Sequence, residues 1–284
     1  MAKLGKLKKH NLQLNHTSKP KKFKQLCRKF RNRICIVTEG DSWFAYPKKN
    51  IIAGKNSNII NNLIRVLKNH KRKFNMLELA NNGDEIVDML SGDSKFVLLN
   101  VVKDIKVDFL LISGGGNDFV GKFDFEFVLR KNPEGTKPVD YINKVRFDRK
   151  LIQIKHAYQD LIDYMDTFSK NKDIKIITHT YGHVTPQNKP AKFLKGIIEK
   201  GPWMFPALKK CKVPKEHWKP IATMLIDGMK KNIKHLHESS NGRFHFVDST
   251  ELITDDDWID EIHLKPGGFK RVAQAMHNKM MELV

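Results

Sequence analysis

Near the C-terminus, Asp260 and His263 stand three residues apart, a spacing that lets both side chains face the same side of a turn or helix start. A carboxylate so placed can accept the proton on one imidazole nitrogen and leave the other nitrogen to accept a hydroxyl proton. Far upstream, Ser42 offers a hydroxyl within Ile34-Cys-Ile-Val-Thr-Glu-Gly-Asp-Ser-Trp-Phe-Ala-Tyr46. Serine at its free pKa is a poor nucleophile. It needs a base, an orienter for that base and donors for an oxyanion. Ser42, His263 and Asp260 are the residue types for the first two needs, and the chemistry they could perform together is attack on an acyl carbon.

The elements around them must deliver these groups to one place. Ile34 to Thr38 is a short β-branched apolar run bounded by Gly40, which predicts a buried strand with Ser42 at its carboxyl end. Phe74 to Ala80 predicts a second strand, ending in Asn81-Asn-Gly83-Asp84. Val107 to Ser113 predicts a third, ending in Gly114-Gly-Gly-Asn117-Asp118, and Ile174 to Thr178 and Phe244 to Val247 a fourth and fifth. Helical spacing of apolar residues predicts helices from a cap at Asn56 or Ser57, over about 84–103 with a break near Gly92, and over about 148–170, 215–239 and 266–283. Residues 119–146 read as loop or lid. The proline-rich stretch 182–214 reads as an insertion near the site. Alternating strands and helices imply a three-layer α/β/α sandwich on a five-stranded parallel sheet, and ligand sites in such sheets lie at the carboxyl ends of the strands.

Composition bounds the rest. At 284 residues the chain suits one large domain, and 40% hydrophobic residues suffice for a core. No apolar run reaches the length of a membrane span and no secretory signal is seen, so the compartment defaults to the cytoplasm. Cys27, Cys35 and Cys211 are too widely spaced for a CxxC pair and read as reduced thiols. The formal net charge is +21 and unevenly placed, with twelve Lys and Arg and no acid in residues 1–33. That block reads as a solvated, partly disordered arm, the folded domain then being 34–284. Such a block can also contact nucleic acid or an anionic surface.

Four blocks occur in a fixed order: Gly40-Asp41-Ser42, Asn82-Gly83-Asp84, Gly115-Gly116-Asn117-Asp118 and Asp260-x-x-His263. Each sits at a predicted strand end or before the last helix, and together they resemble the SGNH hydrolases, also called GDSL esterases and lipases. The resemblance spans about 34–283. It implies a flavodoxin-like sandwich and ester hydrolysis through an acyl-enzyme, without metal or cofactor. Ser42 would be the nucleophile, His263 the general base and Asp260 its orienter. The backbone N–H groups of Ser42 and Gly83 and the Asn117 amide would form the oxyanion hole. Substrates in such a family range over acyl and acetyl esters of lipids and carbohydrates. The aromatic Trp43, Phe44 and Tyr46 depart from the family pattern and would crowd or line an acyl pocket. The Gly-x-Ser-x-Gly elbow of α/β-hydrolases is absent, since position 44 is Phe.

Other features read more plainly. Asp41 and Asp118 suit structural carboxylates holding loop N–H groups, and Asp255-Asp256-Asp257 a solvated acidic turn. His179 and His183 follow a strand and share no helix face, so they do not read as metal ligands. The Gly114-Gly-Gly run lacks the Gly-Lys-Ser/Thr ending of a phosphate loop. Two rival readings use the same residues: a basic binding protein on an SGNH scaffold, and an acyltransferase that passes the acyl group to an alcohol instead of water.

Overall fold

The computed structural model describes residues 13–46, 58–121, 123–168, 170–193 and 198–284. Its strands are β1 (Leu14–Thr17), β2 (Ile34–Gly40), β3 (Phe74–Glu78), β4 (Phe109–Ser113), β5 (Lys175–His179), β6 (Ala191–Phe193), β7 (Ile198–Lys200) and β8 (Phe244–Val247). All but β6 and β7, which form a small antiparallel hairpin, join one parallel sheet in the order β1-β3-β2-β4-β5-β8. Both faces of the sheet are covered, which is why its central strands are near-continuous apolar runs: Ile36 and Val37 of β2 and Leu110, Leu111 and Ile112 of β4 are fully buried.

Without β1 the order is that of a doubly wound flavodoxin-like sheet. The direction of winding reverses between β2 and β4, and the crevice outside their carboxyl ends is where such folds place ligands. Helices Ile59–Lys68 and Pro266–Glu282 pack together, as do Lys144–Thr167 and Trp218–Ser239. Right-handed crossovers put the first pair on one face and the second on the other. Asn58 caps Ile59–Lys68, its side chain accepting from Asn61 N at 2.7 Å, one residue beyond the expected Ser57. Residues 119–146 are more regular than expected, with short helices at Asn117–Val120, Asp124–Val128 and Pro138–Tyr141.

Two expectations are corrected here. The sheet has six strands, not five, and the folded domain starts at Leu14, not Ile34. Leu14 to Thr17 add to the sheet edge beside β3, in register Leu14↔Phe74. Helix Pro20–Lys29 then buries Phe23 and Cys27 one turn apart and turns its lysines outward. Two apolar residues among so many cations make a stripe too narrow to stand out against the charge. Residues 1–12 of the expected arm lie outside the described residues. The three cysteines are free, yet Cys27 and Cys35 are not apart in space: their Sγ atoms lie 3.0 Å from each other beneath this helix. No described helix is long and apolar enough to cross a membrane.

If residues 14–29 are part of the fold, Phe23→Ala removes a fully buried ring and should lower stability by about 3–5 kcal/mol in chemical denaturation. A solvated arm would leave the midpoint unchanged.

Candidate active site

Gly40 ends β2 against Ser113 of β4. A Cβ on Gly40 would meet Ser113 Cβ and O at 2.8 Å, so only glycine lets the two strands lie this close. The chain then turns, with Asp41 N donating to Ser113 O at 2.9 Å. Asp41 caps the short helix Ser42–Ala45 by accepting from Trp43 N at 2.9 Å. Ser42 is thus the first residue of a helix at the carboxyl end of a central strand.

The loop after β8 brings the other two groups to it. His263 Nε2 lies 2.9 Å from Ser42 Oγ, and His263 Nδ1 lies 2.9 and 3.0 Å from the two carboxylate oxygens of Asp260. All three side chains are buried. Asp260 Oδ1 also accepts from the backbone N–H groups of Ile262 and His263, at 3.0 and 2.9 Å, and Oδ2 from the Tyr46 hydroxyl at 3.1 Å. Burial works against a charged Asp260. The charge and hydrogen bond of His263, with the two N–H groups, outweigh it and hold the carboxyl below its ordinary value.

Asn117 opens a short helix after β4 and lines the same cleft as Ser42. Its amide donates to Asp84 O at 3.0 Å, which leaves its second N–H for another acceptor. Gly83 lies between Asn81, whose N donates to Gly40 O at 2.9 Å, and Asp84. An added Cβ at Gly83 would meet nothing within 4 Å, but φ is +97°. Glycine is needed there for the backbone conformation rather than for close packing. Asp118, buried, accepts from Ile86 N at 2.9 Å and so ties the Asn117 turn to the Gly83 turn.

The aromatic residues after Ser42 divide their work. Trp43 lines the cleft, donates from Nε1 to Ile262 O at 3.1 Å, and stacks on His179 with ring centroids 5.2 Å apart. Tyr46 lays its ring 4.1 Å from that of His263 while its hydroxyl holds Asp260. Both therefore brace the loop that carries the histidine. The cleft beside Ser42 is otherwise apolar, walled by Tyr181, Val184, Met204, Leu225 and Trp258.

Beneath the nucleophile lies a buried polar chain. Tyr181 OH donates to Asp41 Oδ2, Asp41 Oδ1 lies 2.6 Å from Ser113 Oγ, and Ser113 Oγ lies 2.9 Å from His179 Nε2. His179 Nδ1 faces Thr180 O at 2.9 Å and must carry a proton to bond it. The Ser113 hydroxyl donates to Asp41. Burial pushes Asp41 up to about 6, against the hydrogen bonds from Ser113, Tyr181 and the Trp43 N–H, and pushes His179 down to about 4.

Glu261, next to Asp260 but pointing away from His263's partner, is a second residue that sequence reasoning missed. Fully buried, it accepts from the backbone N–H groups of Gln187, Trp203, Met204 and Phe205, while its own N donates to Lys189 O. Burial pushes its carboxyl up to about 7 against the pull of those donors. The insertion 182–214, which holds the β6–β7 hairpin and helix Phe205–Lys210, is seated on the catalytic loop by this side chain. Trp203 then stands edge-on to His263 at 5.3 Å. The signal in the sequence was one carboxylate too many in Trp258-Ile-Asp-Glu-Ile.

Of the other histidines, His183 lies 2.8 Å from Asp227 and His237 Nδ1 lies 2.8 Å from Phe244 O. Among the described residues no three His, Cys, Asp or Glu side chains gather as metal ligands.

With fold and site in view, solved structures provide the comparison. A lipase from a goat rumen metagenome superposes with a TM-score of 0.54 over 86% of this chain and 96% of its own, at 14% identity. An inhibitor-bound aryl esterase from M. smegmatis does so with a TM-score of 0.51 over 88% of this chain and all of its own, at 15% identity. The chain shares the fold of these enzymes, and the expected α/β/α sandwich on a parallel sheet is the one found. No protein-family model and no curated protein matches the chain.

Asp41→Asn mimics the protonated carboxyl. Because the folded pKa of Asp41 stands above its unfolded value, its contribution to stability is full below about pH 4 and is lost as pH rises through about 6. Relative to Asp41→Asn, the wild type should lose about 2–3 kcal/mol across that window in denaturation curves. Glu261→Gln would turn an amide N–H toward two backbone donors. It should cost about 2–4 kcal/mol and expose residues 182–214 to trypsin.

Proposed function

We propose that the protein is an SGNH-type serine hydrolase that cleaves a carboxylic ester through an acyl-enzyme. The observation that carries this reading is the continuous hydrogen-bonded chain Ser42–His263–Asp260 at the mouth of an apolar cleft. The shared fold with a lipase and an aryl esterase agrees with it.

In the first half-reaction Ser42 Oγ attacks the ester carbonyl carbon as His263 Nε2 takes the hydroxyl proton. Asp260 fixes the imidazole with Nδ1–H toward itself and stabilises the imidazolium that forms. The negative charge passes to the carbonyl oxygen, which accepts from the N–H groups of Ser42 and Gly83 and the second amide N–H of Asn117. The Asp84 carbonyl orients that amide before substrate arrives. Collapse expels the alcohol, protonated by His263, and leaves the acyl group on Ser42. A water, deprotonated by His263, then repeats the sequence and releases the acid.

The apolar walls of the cleft suit an uncharged acyl group. A charged one would be stripped of water with no partner there.

A fluorophosphonate probe should label the wild type and not Ser42→Ala, with kcat on p-nitrophenyl esters falling at least about 10⁴-fold in the variant. Asn117→Ala should lose about 10²–10³ in kcat with little change in KM, because its contact strengthens only as the oxyanion forms. An unlabelled wild type would refute the proposal.

A further inference from the structure

A parallel sheet sorts its loops. Every turn that enters a strand lies at one end, and every turn that leaves one lies at the other, with the nucleophile. The end away from Ser42 carries two basic segments that lack any acid. In the segment entering β2, residues 28–33 carry Arg28, Lys29, Arg31 and Arg33 and no acid. The segment entering the neighbouring β3, residues 65–73, carries Arg65, Lys68, Lys71, Arg72 and Lys73 and no acid. Arg33 is buried, donating to Phe74 O, but Arg28, Lys29, Arg31, Lys68, Lys71 and Arg72 are exposed, and none of these six is in an ion pair. At the opposite end, the segment leaving β8, residues 248–263, holds seven Asp and Glu and no Lys or Arg. The segment leaving β5, residues 180–217, is rich in lysine, so the end that holds Ser42 is mixed in charge, whereas the segments entering β2 and β3 are basic without an acid.

We infer that the basic end of the sheet is a docking face for the phosphate backbone of a nucleic acid. It includes an open groove of about 800 Å³ lined by Arg28, Arg31, Lys106 and Lys170, with Asp104 and Asp108 at its wall. Lys24 engages Asp104, and Asp108 accepts from Cys35 N, so neither acid is free to repel an anion at full strength. Guanidinium groups at the rim match phosphate oxygens two at a time. An anionic membrane fits less well. Stable attachment to lipid needs inserted apolar groups beside the basic ones, and among the described residues none of the exposed large hydrophobic ones lies in the segments entering β2, β3, β4, β5 or β8. Docked this way, the protein would hold its cleft away from the polyanion.

The test is fluorescence anisotropy of the full chain with labelled random-sequence DNA and RNA duplexes, across about 50–200 mM salt. Expected is binding to at least one duplex that weakens steeply with salt. The variant R28Q/R31Q/K68Q/K71Q should weaken it at least about tenfold and flatten the salt dependence. A charge-matched control at the other region, K200Q/K209Q/K212Q/K215Q, should bind within about twofold of wild type, which separates the face from net charge. Circular dichroism reports that each variant is folded. No binding at the lowest salt, equal losses in both variants, or tighter binding to phosphatidylserine vesicles than to either duplex would overturn the inference. The measurement needs no turnover, so its failure would leave the hydrolase reading where it stands.

Discussion

The close approach of Gly40 to Ser113 is the constraint on which the site depends. With no side chain between them, β2 and β4 stay hydrogen-bonded to their carboxyl ends, in register Gly40↔Ser113. Asp41 can then reach both the Ser113 carbonyl, through its backbone N–H, and the Ser113 hydroxyl, through its carboxyl. That double hold fixes the turn from which Ser42 starts its helix, and Asn81 adds a third bond to Gly40 O from the next strand. The two residues before Ser42 thus define its position before any substrate is present.

Two buried carboxyl groups flank that serine and are treated differently by their surroundings. Asp260 has an imidazole, two backbone N–H groups and a tyrosine hydroxyl around it, enough to keep a charge out of water. Asp41 sits deeper, accepting from a tyrosine hydroxyl, a serine hydroxyl and a backbone N–H, and burial still raises its carboxyl to about 6. One carboxyl orients the imidazole; the other fixes the turn that leads into Ser42. Their surroundings, not their chemistry, set them apart.

Much of this was legible in the sequence. The five strands β2, β3, β4, β5 and β8 and the longest helices follow from apolar periodicity and glycine punctuation; of the residues in the four blocks, Ser42 and Asn117 line one cleft, and His263 and Asp260 are hydrogen-bonded in line with Ser42. The losses have physical causes. The edge strand Leu14–Thr17 is too short and polar to read as one, with Asn15 and His16 only partly covered. Helix Pro20–Lys29 offers two buried side chains in ten residues. The φ of +97° that calls for glycine at position 83 has no signature in the sequence, which cannot distinguish a glycine needed for its conformation from one needed for close packing. The supporting roles of Tyr46, His179 and Glu261 depend on contacts between residues far apart in the chain, and no local pattern encodes those.

Asp260 and Glu261 are consecutive. One carboxylate grips the imidazole, the next grips the backbone of the segment that walls the cleft, and a single peptide bond joins them. The placement of His263 and the seating of the cleft wall therefore rest on neighbouring residues of one loop. Swapping in a different wall segment to change substrate preference would succeed only if the graft presented the same cluster of backbone donors to Glu261.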